Sequence, residues 1–174
     1  MAVDLLLPLK QSSDAKWVEC VSSNFDEFLI DHAANERKAS SMALSMVAHY
    51  PDRKELVTEM VDLAVEELAH YRQVMQLIQA RDITITGDEK DPYVNALRTH
   101  IREGPEAYFL DRLLCASVIE ARGAERFALL GAHLEVESLK RFYQSLAQSE
   151  SGHYTLFLNP VSYTHLTLPT NREV

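Results

Sequence analysis

The sequence is poor in the residues that break, cross-link or anchor a chain. Its two cysteines, Cys20 and Cys115, cannot build a disulfide scaffold, and neither stands in a Cys-Xaa-Xaa-Cys pair of the kind that holds zinc or does thiol redox work. Such sparing use of cysteine fits a reducing compartment, so a cytoplasmic location is expected. Five glycines and six prolines in 174 residues leave long interior stretches free of helix breakers. No apolar run approaches the roughly 20 residues that span a bilayer. The leading MAVDLLLPLKQSSDAKW carries a short leucine run cut by Asp4 and Pro8, which is no secretion signal. A secreted or membrane-spanning protein is therefore not expected. Positive charge is scarce as well: 17 Lys and Arg face 26 Asp and Glu, a net charge of −9.

What is present is an ordinary globular composition, 47% hydrophobic and 25% charged, enough to bury one sizeable core. The chain reads as a row of helices. A short one is predicted from Ser13 to Ser22. A long one follows, capped by Asn24 or Asp26 and running to Tyr50, where Pro51-Asp52 breaks it. The next runs from Asp52 to about Arg81. Residues 82–91 form a charged turn, and Asp91-Pro92 restarts a helix that stops at Gly104. Pro105 opens a helix reaching about His133, and the last runs from near Glu135 to about Asn159. From Val161 the sequence VSYTHLTLPTNREV loses helical periodicity and looks like translated read-through of a cloning or adapter sequence. Residues 161–174 are read as a non-native tail in place of the natural C-terminus, and residues 1–160 as one domain.

Steps of four and three along the long helices give four inward seams. They are Phe25, Leu29, His32, Glu36, Ala39, Ala43, Met46, Tyr50; then Leu56, Met60, Leu63, Glu67, His70, Val74, Leu77; then Leu110, Leu113, Ser117, Glu120, Ala124, Phe127, Gly131; and last Leu139, Tyr143, Leu146, Glu150, His153, Phe157. Each apolar stripe is interrupted near its middle by Glu, and twice by Glu-Xaa-Xaa-His. Four such helices are predicted to pack as an antiparallel bundle with the seams facing inward. Four unpartnered carboxylates in one core would cost several kcal/mol each, against a total stability of about 5–15 kcal/mol. Two metal ions would supply the missing positive charge, since residues three apart on a helix share a face and can hold one ion together. Glu36 to Glu67 spans 31 residues and Glu120 to Glu150 spans 30, so the site repeats internally. A lone Glu plus a Glu-Xaa-Xaa-His in each half is the ligand set of di-iron and di-manganese carboxylate proteins of the ferritin-like class. Carboxylates with one imidazole per metal suit iron or manganese better than copper or zinc, and iron is the expected metal. His32, one turn before Glu36, is read first as a hydrogen-bonded core histidine and second as a partner of the ligands.

The stretches FLIDHAANERKAS around Glu36, LAVEELAHYRQV around Glu67 and His70, LLCASVIEARGAERFALL around Glu120, and FYQSLAQSESGHYTLF around Glu150 and His153 resemble the tRNA hydroxylases acting on 2-methylthio-N6-isopentenyladenosine at position 37. The resemblance covers about residues 1–159 and all six ligand positions. It implies an all-α, ferritin-like antiparallel four-helix bundle with additional short helices. It implies two iron ions held by Glu36, Glu67, His70, Glu120, Glu150 and His153, with Glu67 and Glu150 as bridges and no protein nucleophile. Dioxygen would be the co-substrate, and the isopentenyl side chain of the modified adenosine would be hydroxylated. Gly152 departs from the family, which tends to carry a larger residue before the second histidine.

The chain has no Gly-Xaa-Gly-Xaa-Xaa-Gly and no cysteine cluster, so electrons are expected from a separate reductase. A tRNA partner sits uneasily with an acidic chain. Two divalent ions on four ligand carboxylates reduce the effective charge to roughly −5. Arg37, Lys38, Arg98, Arg102, Arg122, Arg126, Lys140 and Arg141 are the candidates for a phosphate-facing patch. The alternatives on the same scaffold are a di-metal peroxidase or catalase, and an iron-storing ferroxidase. The second histidine, His153, argues against the ferroxidase, and the lack of a four-cysteine module against a rubrerythrin-type peroxidase.

Overall fold

A computed structural model describes the backbone of residues 9–166 and the side chains of residues 9–159. Every regular element among the described residues is a helix: α1 (Ala15–Ser23), α2 (Phe25–His49), α3 (Lys54–Ala80), α4 (Pro92–Arg98), α5 (Pro105–His133) and α6 (Glu137–Leu166). No helix among these residues is long and apolar enough to cross a membrane. The four long helices are those expected, and two ends differ. α4 stops at Arg98 instead of Gly104, because Asp111 captures the Arg102 backbone N–H at 2.8 Å and its guanidinium at 2.7 and 2.8 Å, which pulls the segment out of helical register. α6 runs on to Leu166, so the expected loss of helix near Asn159 is corrected; residues 167–174 of the supposed tail lie outside the described residues.

Two compact units are formed, one of residues 14–90 and one of residues 9–13 with 91–166. In the first, α2 and α3 are joined by the short turn 50–53 and run antiparallel, as the pairs Asp26–Arg81 and Ser40–Ala64 record. Leu29, Ala43 and Met46 of α2 and Met60, Leu63, Val74 and Ile78 of α3 are buried. Full burial of each large side chain stabilises by about 1.5–3 kcal/mol. Ser40 and Ile78 are buried where the seam predicted Ala39 and Leu77, because a 3.6-residue turn drifts about 20° per heptad from a strict seven-residue repeat. Ser40 can afford the position because its Oγ donates to the Ala64 carbonyl at 2.8 Å.

In the second unit α5 and α6 are antiparallel across the turn 134–136. Phe109, Leu113, Ala124 and Leu130 are buried on α5, and Tyr143, Leu146 and Phe157 on α6. A Cβ at Gly131 would lie 2.7 Å from Gln144 Cγ and 3.1 Å from the Gln144 backbone nitrogen, so glycine permits the close approach of the two helices beside their turn. The segment before α1 is fastened to α5: Ser13 Oγ donates to Glu125 at 2.8 Å, and Arg122 donates to the same carboxylate at 2.7 Å. Burial pushes the Glu125 carboxyl up, but the bonds from Ser13 and Arg122 outweigh it and hold its pKa below the ordinary value.

Candidate metal centre

Each hairpin brings a lone Glu from its first helix to a Glu-Xaa-Xaa-His from its second. In the first unit α2 supplies Glu36 and α3 supplies Glu67 and His70, the i, i+3 spacing placing the last two on one face. All three are buried, Glu67 almost completely. They can offer ligand atoms within 4.8 Å of one another. His70 Nδ1 lies 3.7 Å from Glu36 Oε2 and 3.7 Å from Glu67 Oε2, and its Nε2 lies 3.9 Å from Glu66 Oε1 at the surface.

The second unit repeats the pattern. Glu120 stands on α5, Glu150 and His153 on α6, and all three are buried. His153 Nδ1 is 3.4 Å from Glu150 Oε2 and 4.0 Å from Glu120 Oε2. All six residues chosen from the sequence therefore fall into two triads, three residues to a hairpin.

The triads fit a metal ion by spacing and by charge. Hydrogen-bonded N and O atoms sit about 2.7–3.2 Å apart. Two donors bound to one ion at about 2.1 Å each, at angles between a right angle and the tetrahedral angle or wider, stand about 3.0–4.0 Å apart. The imidazole–carboxylate distances of 3.4–4.0 Å belong to the second range. Two carboxylates and a neutral imidazole also give each triad a charge that a divalent ion cancels, which removes the cost of burying them bare.

The first reading of His32, a hydrogen-bonded core histidine, holds, and its bonding partner is one of the proposed ligands. It is buried, and its Nε2 lies 2.6 Å from Glu36 Oε1, a hydrogen-bond distance. The signal was its place one turn before a ligand on the same seam. The basic groups proposed for phosphate contact are largely engaged within their own units. Arg37 pairs with Asp88, Lys38 Nζ donates to the Glu89 carbonyl at 3.2 Å, Arg122 pairs with Glu125, and Arg102 with Asp111. Cys115, off the seam, donates to the Leu97 carbonyl at 3.7 Å, and burial pushes its thiol pKa up, which suits packing and not reactivity. Gly152 is exposed, with open space where a Cβ would stand.

Comparison with known proteins places this geometry. A hydroxylase named tRNA 2-(methylsulfanyl)-N(6)-isopentenyladenosine(37) hydroxylase from Pseudomonas putida is 39% identical over 142 residues, covering 82% of this chain and 69% of that protein. One of the same name from Salmonella typhimurium is 35% identical over 128 residues, covering 74% of this chain and 47% of that protein. The chain thus spans about two thirds of one curated relative and about half of the other. Among solved structures, a Synechococcus protein described as having aldehyde deformylating oxygenase activity superposes with a TM-score of 0.84 at 35% identity, over 92% of this chain and 79% of that one. The all-α, ferritin-like class expected from the sequence is the class this chain has. The family model described as tRNA-(MS[2]IO[6]A)-hydroxylase (MiaE) matches residues 3–165, and the chain, with its two Glu, Glu-Xaa-Xaa-His triads, belongs to that family.

Proposed function

We propose that each triad holds one iron ion, Glu36, Glu67 and His70 the first and Glu120, Glu150 and His153 the second. With them the chain hydroxylates the isopentenyl side chain of 2-methylthio-N6-isopentenyladenosine at position 37 of tRNA. The observation that carries this reading is the repetition of one buried donor set in both hairpins of a chain from a tRNA hydroxylase family. Residues 1–160 act as one functional domain, because both triads are needed. The iron pair supplies two-electron chemistry toward dioxygen: a C–H bond, dioxygen, two electrons and two protons give C–OH and water. The electrons come from a separate reductase, and the substrate sets the cytoplasm as the place of action.

The protein's own part is to hold and insulate. The four carboxylates fix the ions and cancel their charge, and the two imidazoles bind as neutral ligands. Glu36 and Glu67 are buried, with Leu63 one turn before Glu67 on α3, and Glu150 and His153 are buried between Leu146 and Phe157 along α6, so bulk water is kept from the donor atoms. No side-chain nucleophile takes part.

The test is anaerobic loading with iron, chemical reduction, and dioxygen uptake with and without tRNA bearing the prenylated nucleoside, followed by nucleoside mass analysis. Two irons per chain and one oxygen gained on that nucleoside are expected. Two metals without a nucleoside change would overturn the substrate. A second reading rests on the 35% identity to the Synechococcus protein over 92% of this chain. An aldehyde replacing tRNA in the same assay, with loss of its formyl group, would favour it.

A further inference from the structure

Two consecutive carboxylates precede His70 on α3, Glu66 at i, i+4 and Glu67 at i, i+3, so both stand within reach of one imidazole ring. The fold treats them oppositely. Glu67 is buried at 1% exposure, and its Oε2 lies 3.7 Å from His70 Nδ1, the nitrogen that Glu36 Oε2 also approaches to 3.7 Å. The Glu66 side chain is 51% exposed, and its Oε1 lies 3.9 Å from the other nitrogen, Nε2. The ring is thus bracketed, with Nδ1 toward the proposed ligand set and Nε2 toward the solvent edge of the helix. A neutral imidazole carries one N–H, and the nitrogen that binds a metal is the one without it. With Nδ1 as the ligand atom the proton stands on Nε2, where a carboxylate can accept it. The 3.9 Å separation is longer than a hydrogen bond of about 2.7–3.2 Å, and rotation about the bonds of an exposed, unbranched side chain closes it, or one water bridges it.

We infer that Glu66 is a positioning residue of the metal centre: it accepts from His70 Nε2–H, fixing the tautomer and ring direction that leave the Nδ1 lone pair facing Glu36 and Glu67. The inference rests on the proposed metal centre and adds to it a residue that binds no ion itself. Outer partners that orient a metal-binding histidine typically account for about 10–100-fold in metal affinity. Glu66 belongs at the low end, about 10-fold, because water competes for a half-exposed carboxylate. What the ring requires is an acceptor, so an amide oxygen in the same place serves without the charge.

Three variants isolate the acceptor. Glu66→Gln keeps an oxygen that can accept, and Glu66→Leu removes it at similar size. Glu59→Leu, one heptad earlier on the exposed side of α3, removes the same charge about three turns away from His70 and controls for the general attraction of cations to surface carboxylates. The whole chain, free of metal, is titrated anaerobically with Co(II) and followed by visible absorption, with circular dichroism recorded before metal is added. Wild type is expected to take up two ions. Glu66→Leu should weaken the uptake of one of them about 10-fold and shift the visible bands of that ion, with the other ion unmoved. Glu66→Gln should restore most of the affinity, and Glu59→Leu should match wild type. A Glu66→Leu titration and spectrum matching wild type would overturn the inference, as would equal loss in Glu66→Leu and Glu66→Gln, or in Glu66→Leu and Glu59→Leu. If Glu66→Leu loses its helical signal without metal, the residue serves the fold and the inference also fails. Wild type that binds no cobalt would overturn the metal-centre reading, and this inference with it; two ions in wild type with no effect of Glu66→Leu would overturn the inference alone.

Discussion

The α2–α3 and α5–α6 hairpins present the same three ligand types at nearly the same helical spacing, yet they are locked together differently. The first carries polar bonds from one helix to the other: Ser40 Oγ to the Ala64 carbonyl and Arg81 to Asp26. The second is fastened mainly by fit, with Gly131 admitting Gln144, whose Nε2 donates to the Gly131 carbonyl at 3.3 Å, and the Phe127 and Tyr143 rings 5.6 Å apart. A repeated ligand pattern therefore does not require a repeated scaffold. On the proposed reading, each half delivers two carboxylate oxygens and an imidazole nitrogen at metal-sharing distance, and either device achieves it.

The largest effect should come from removing a ligand from one half at a time. Glu67→Gln and Glu150→Gln should each lower cobalt uptake from two ions to at most one per chain and reduce nucleoside hydroxylation by more than about 100-fold, beyond the usual cost of an outer partner. Both substitutions should also raise the stability of the metal-free protein, by about 1–2 kcal/mol, because each removes a buried negative charge beside another. Thermal unfolding without and with metal checks this, and a metal-free variant less stable than wild type would show that the carboxylates serve the fold. If either substitution leaves two ions bound, the triad to which it belongs is not a metal site.

The two fastenings can be broken separately. Gly131→Ala puts a Cβ against the Gln144 backbone, which cannot swing aside as a side-chain end can, and should destabilise by about 1–3 kcal/mol. Ser40→Ala leaves the Ala64 carbonyl to its helical partner alone and should lose about 1 kcal/mol. Denaturant melts of both variants give the comparison, and a Ser40→Ala loss exceeding that of Gly131→Ala would reverse the assignment of fit to one hairpin and polar bonding to the other.

The sequence was most informative where one residue type breaks a long apolar period. Glu36, Glu67, Glu120 and Glu150 stood out because nothing else on those seams was charged, and helices with few breakers left little choice of fold. Where burial passes between neighbours, as from Leu110 to Phe109 or Leu77 to Ile78, the seam was off by one residue, because helix phase is set by packing partners that a linear pattern does not contain. The end of α4 was missed for a related reason: it depends on Asp111, nine residues beyond Arg102, and no local rule links them. His32 was visible as a position, but the direction of its ring was not.

Arg37 lowers the pKa of an exposed carboxyl, Asp88, in the first unit, whereas in the second the carboxyl so held, Asp111, is buried. Bonds from the Arg102 side chain and backbone hold its pKa at about 2, below the ordinary 3.8. A carboxyl with a depressed folded pKa contributes stability that is present above 3.8 and is lost as pH falls through 3.8 toward 2. Asp111→Asn should lower stability by on the order of 1 kcal/mol at neutral pH, since the Arg102 side chain is mostly exposed and the pair is screened. The difference between variant and wild type should shrink toward pH 2. Denaturant melts across that range check it, and a difference that stays constant with pH would mean that the Asp111 charge is not what holds the 99–104 segment.

The smallest effect compares the residues just before the two histidines, Ala69 before His70 and Gly152 before His153. Both lie inside long helices, and Gly152 has open space where a Cβ would point. An interior glycine is destabilising by roughly 0.5–1 kcal/mol relative to alanine, because it loses more backbone freedom on folding. Gly152→Ala should therefore stabilise the protein by about that amount and raise the melting temperature by roughly 1–4 °C, at unchanged cobalt stoichiometry. If the gain appears and the His153 position binds metal as before, glycine there is a local weakness in α6. If stability rises while that position binds more weakly, the looseness of the backbone beside His153 is itself used in seating the ion, and the two hairpins differ in function as well as in packing.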